Sequence, residues 1–74
     1  MQYRYTILIQ WSDEDQCYVV SLPEWGEFSH THGETYAEAL QNAQEVLELL
    51  VESALAEGEP LPEPQTFGKT LQAA

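Results

Sequence analysis

The sequence predicts an α+β domain, a small antiparallel sheet with one long helix laid across a single face. Three observations predict it. Apolar and mixed positions alternate from Tyr3 to Trp11, a β-branched and aromatic run follows an acidic turn, and a capping signal at Thr35 opens a stretch with apolar residues three and four apart. Alternation with a period of two belongs to strands and spacing of three and four to helices, so both element types occur in one short chain.

In the first strand Tyr3, Tyr5, Ile7, Ile9 and Trp11 form one side and Arg4, Thr6, Leu8 and Gln10 the other. The wholly apolar side has to be buried, whereas the mixed side is free to be wet or to meet a partner. Asp13-Glu14-Asp15-Gln16 supplies turn-forming residues, and Cys17 to Leu22 reads as the return strand of a hairpin. Pro23 has no N–H to give a ladder, so Glu24, Trp25 and Gly26 are expected in a loop leading to a third, shorter strand from Phe28 to His32, ended by Gly33. Thr35 with Glu38 three residues later is a capping box, which places the helix from Tyr36 to about Ala56. Its expected buried stripe is Tyr36, Leu40, Ala43, Leu47, Leu50, Val51, Ala54 and Leu55. Gly58 is placed to close the helix in a left-handed conformation, and Pro60, Pro62 and Pro64 forbid its continuation. Residues 65–74 are expected to add a short edge strand, for the order β-β-β-α-β. The chain reads as one domain over 1–74, ordered over about 3–67, with one sheet face left uncovered.

A domain of 74 residues is short. Chains of this size bury only about 60% of the surface they expose when unfolded, so association into a dimer or tetramer is expected to extend the core. The 13 acidic and 2 basic side chains give a formal net charge of -11. Direct nucleic-acid binding is thereby excluded, because Arg4 and Lys69 cannot build the basic patch that phosphates require, and an anionic membrane surface is excluded for the same reason. A field of this sign attracts basic proteins. Cys17 is the single cysteine, so no internal disulfide forms, and with no signal-peptide pattern at the N-terminus a cytoplasmic location is expected.

No catalytic constellation is present, and the chain is expected to be neither an enzyme nor a cofactor carrier. Cys17 begins a strand without a neighbouring cation to activate it. His30 and His32 project from one strand face, but two ligands do not make a metal site, and the Asp13–Asp15 run lacks the glycine and distal glutamate of a calcium loop. The placement of acid is more telling. Glu38, Glu45 and Glu52 recur every seven residues with Glu48 beside them, opposite the apolar stripe, and no Lys or Arg lies on the helix to offset their repulsion. Such a stripe either is merely solvated or awaits a positive charge from elsewhere. A second candidate partner-binding cluster is Glu24, Trp25, Glu27 and Phe28, in which Trp25 either contacts a partner or folds back over the sheet edge.

Taken together, the Tyr-rich opening strand, the acidic turn at Asp13 to Asp15, Tyr18-Val19-Val20-Ser21-Leu22-Pro23-Glu24, Gly33-Glu34-Thr35-Tyr36-Ala37-Glu38-Ala39-Leu40 and Glu57-Gly58-Glu59-Pro60-Leu61-Pro62-Glu63-Pro64 resemble the HicB antitoxins of toxin–antitoxin pairs over about residues 3 to 67. The resemblance implies a degraded ribonuclease H-like fold without nuclease carboxylates. It also implies a partner, HicA, a small basic toxin that cleaves messenger RNA and whose RNA-binding surface the antitoxin would cover. Many HicB proteins carry a C-terminal operator-binding segment; none follows the prolines here, so autorepression by this chain alone is not expected. The alternative is a stand-alone oligomeric binding protein of the same fold that binds itself or a small ligand.

Overall fold

The structure is a computed structural model and describes residues 3–26 and 29–68. Strands β1 (Leu8–Ser12), β2 (Cys17–Ser21) and β3 (His30–Gly33) form an antiparallel sheet in the order β1-β2-β3, and helix α1 (Tyr36–Ala56) follows them. The fold is therefore α+β, with the element order that the alternation and the capping signal predict. The hairpin register runs from Ser12 opposite Cys17 to Leu8 opposite Ser21, and β3 continues it with Tyr18 opposite Gly33 and Ser21 opposite His30.

β1 starts at Leu8 rather than at Tyr3, and the reason lies in its partner. β2 ends at Ser21, and the chain then turns into a one-turn 3₁₀ helix, Pro23–Trp25, so residues 3–7 have nothing to pair with. The Glu24 carboxylate takes the Thr6 N–H instead. β3 runs to Gly33, one residue beyond the expected strand, and the predicted start of that strand at Phe28 lies outside the described residues.

α1 begins and ends where its local signals place it. Thr35 Oγ1 accepts from the Glu38 N–H at 3.0 Å, while the Glu38 carboxylate reaches back to the Glu34 N–H at 2.8 Å, one residue before the reciprocal partner of an ideal capping box. At the other end Gly58 (φ 71°) lets the Glu59 N–H reach Ala54 O at 2.9 Å and its own N–H reach Leu55 O at 3.2 Å, the paired bonds of a Schellman motif.

The core is Val20 and Leu22 from the sheet side with Ala39, Ala43, Leu47, Val51 and Ala54 from α1. Full burial of each larger side chain stabilises the fold by roughly 1.5–3 kcal/mol. The buried stripe differs from the expected one: Tyr36, Leu40 and Leu55 are exposed, and Ala39 is fully buried. α1 lies chiefly over β3 and β2, so alanines at 39 and 43 bring its backbone close to the sheet, while Leu40 and Leu55 fall on a flank the sheet does not reach. Gly33 belongs to the same close approach. A Cβ there would lie 2.7 Å from Ala39 Cα and closer still to Ala39 N, both backbone atoms that cannot move aside.

The apolar side of the first segment is buried only in part. Tyr5, Ile7 and Ile9 pack against the core, but Tyr3 and Trp11 stay about half exposed, Trp11 because α1 barely crosses β1. Beyond the helix, residues 59–66 belong to no regular element and residues 65–68 form no strand; the remainder of the expected edge strand, 69–74, lies outside the described residues.

Candidate partner-binding surface

Glu38, Glu45, Glu48 and Glu52 are all exposed on the side of α1 away from the sheet. Seven residues advance a helix by about 10.5 Å and rotate it almost back to its starting azimuth, so Glu38, Glu45 and Glu52 line one row, with Glu48 to one side. Glu38 also serves the helix start through its bond to Glu34 N–H. Glu45, Glu48 and Glu52 have no such internal task among the described residues, and Leu49, 65% exposed, sits among them. The face therefore presents fixed negative charge around one apolar side chain.

The Glu24–Phe28 cluster is arranged otherwise. Glu24 is half-buried, and its carboxylate accepts from Thr6 N–H at 3.1 Å, Thr6 Oγ1 at 2.9 Å and Gln65 N–H at 2.9 Å. It thereby ties the chain before β1 to the segment after the prolines, a junction reinforced by Tyr5 OH donating to Pro62 O at 2.7 Å. Partial burial by itself raises the Glu24 pKa, but the hydrogen bonds from Gln65, from its own backbone and from Thr6 outweigh it and hold the carboxyl below the usual carboxylate range. The Tyr5 phenol is pushed up, first by burial and then by the Glu24 charge. Trp25 packs against the core, edge-on to Tyr5 with centroids 5.2 Å apart, and its indole N–H is buried without a hydrogen-bond partner among the described residues. Glu27 and Phe28 lie outside the described residues. No sequence signal announces the Glu24 clamp, because its donors lie 18 and 41 positions away.

His30 and His32 are exposed on the sheet face opposite α1, where they line a shallow concavity of about 530 Å³ with Asp15, Cys17, Val19 and Thr31. Among the described residues no three His, Cys, Asp or Glu side chains come together in a way that could hold a metal ion. No helix among them is long and apolar enough to cross a membrane.

Known proteins agree with this outline. The family model described as the HicB-like antitoxin of bacterial toxin–antitoxin systems matches residues 5–74. A UPF0150 protein of Synechocystis sp., ssr1765, is 36% identical over 69 residues, which cover 93% of this chain and 85% of that protein. No solved structure gives a significant match. With the match running from the first segment through the sheet, the helix and the proline exit, the chain belongs to the HicB-like antitoxin family.

Proposed function

We propose that this protein binds and neutralises a small basic HicA-like toxin that cleaves messenger RNA, by covering the toxin's RNA-binding surface. The observation that carries the reading is the exposed face of Glu45, Glu48 and Glu52 on a helix with no Lys or Arg, in a chain of net charge -11. A surface that binds RNA phosphates must be cationic, and an acidic face both steers toward it and competes with RNA for it. Neutralisation of this kind needs no chemistry from the antitoxin, only occupancy, so the protein acts in the cytoplasm as a binding module without cofactor or metal. Glu27 and Phe28, an acid and an aromatic adjacent in sequence, are further proposed contact residues.

The test uses a short basic protein of the HicA type, sought first in the open reading frame adjacent to this one. Its ribonuclease activity should fall to background when the antitoxin is added in equimolar amount, and Glu45→Gln with Glu52→Gln should weaken the complex most at low salt, where surface charge is least screened. Undiminished cleavage in the presence of excess antitoxin would overturn the reading. A second reading, self-association, is favoured by the uncovered sheet face, on which Leu8 is exposed and Val19 and Cys17 are half-buried. Sedimentation velocity separates a dimer or tetramer from a monomer, and a monomer at high concentration would remove it.

A further inference from the structure

At the turn end of the hairpin three aromatic rings form one continuous surface. Trp11 is anchored at its edge, its Nε1 donating to Asp13 Oδ1 at 2.9 Å. Tyr18 packs edge-on against it, with centroids 5.1 Å apart and planes at 72°, and Tyr36 lies over Tyr18 at 4.4 Å and 31°. Because α1 barely crosses β1, Trp11 remains 49% exposed and Tyr36 64%, with the exposed Leu40 one helical turn from Tyr36. Contiguous exposed apolar patches mark contact surfaces, whereas apolar residues scattered singly do not.

We propose that the platform of Trp11, Tyr18 and Tyr36 seats an arginine side chain of a basic polypeptide partner. Charge selects the occupant. The rings lie beside the Asp13-Glu14-Asp15 turn, so a second copy of this chain would bring carboxylates against carboxylates, whereas a cation meets exposed aromatic rings and negative charge together. Among cations, guanidinium is planar, weakly hydrated and able to stack on a ring while bonding a carboxylate; an ammonium is compact and holds its water. A carboxylate fixed at the edge of an exposed indole suits the former. The inference rests on the antitoxin reading only for the natural identity of the partner, not for the chemistry of the seat.

Two synthetic peptides of equal length and charge, one arginine-glycine and one lysine-glycine, are titrated into the full chain at low salt. The wild type should prefer the arginine peptide by about two- to fivefold, the size of an exposed cation–π contact. Trp11→Leu and, independently, Tyr36→Leu should bring that ratio close to one while leaving lysine-peptide affinity and the far-ultraviolet circular dichroism unchanged. Glu45→Gln with Glu52→Gln should lower both affinities and keep the ratio. A wild-type ratio of one, or a ratio that survives both aromatic substitutions, would overturn the proposal. So would a Trp11→Leu variant that keeps the ratio but dissociates a homo-oligomer, which assigns the platform to self-contact. Failure to inhibit the basic ribonuclease removes the antitoxin reading, whereas the arginine-to-lysine ratio decides the platform whichever way that assay falls.

Discussion

Replacing Glu24 tests whether a single carboxylate joins the two ends of the fold. Glu24→Ala strands three donors, the Thr6 N–H, the Thr6 hydroxyl and the Gln65 N–H. Hydrogen bonds to a charged acceptor contribute more than neutral ones, but this site is only half-buried, so each is set at about 1 kcal/mol and the loss at about 3 kcal/mol. In a domain of this length that lowers Tm by roughly 15 °C, a large part of the stability of a small protein. Glu24→Gln keeps the shape and removes the charge, which isolates the pH dependence. The folded carboxyl is held below its ordinary value of 4.5, so its contribution is fully present above that pH and is lost as pH falls through the depressed folded value. Thermal unfolding followed by circular dichroism should show wild type above the glutamine variant at pH 7 and the gap closing in acid. A Glu24→Ala Tm within a few degrees of wild type, or parallel pH profiles for wild type and Glu24→Gln, would refute the clamp.

Gly33→Ala forces a methyl group against the backbone of Ala39 and should cost about 3 kcal/mol, read as a lower denaturant midpoint at unchanged slope. Leu47→Ala should cost about 2–5 kcal/mol, since the side chain is 1% exposed, whereas Leu49→Ala, at 65% exposed, should change stability by less than about 0.5 kcal/mol; equal effects would mean the helix is rotated from the orientation described. Thr35→Ala removes the acceptor for the Glu38 N–H and should cost about 1 kcal/mol, with faster amide exchange confined to the first turn of α1.

Features decided within a few neighbouring residues were legible in the sequence alone. Thr35, Glu38 and Gly58 determine both ends of α1 because each satisfies backbone groups within one turn of itself. The acidic row is legible too, since Glu38, Glu45, Glu48 and Glu52 share a face of any helix that contains them. Tertiary structure decided the rest. Alternation continues unbroken back to Tyr3, yet the ladder stops at Leu8, because a strand needs a partner and Pro23 withdraws it. Hydrophobicity ranks Tyr36, Leu40 and Leu55 above Ala39, but only the position of the sheet determines which side of the helix is covered, and close packing there selects the smallest side chains, at Gly33, Ala39 and Ala43. Glu24 looks like one more surface acid until the fold brings Thr6 and Gln65 to it, since the donors a carboxylate will meet are settled by where distant parts of the chain come to rest.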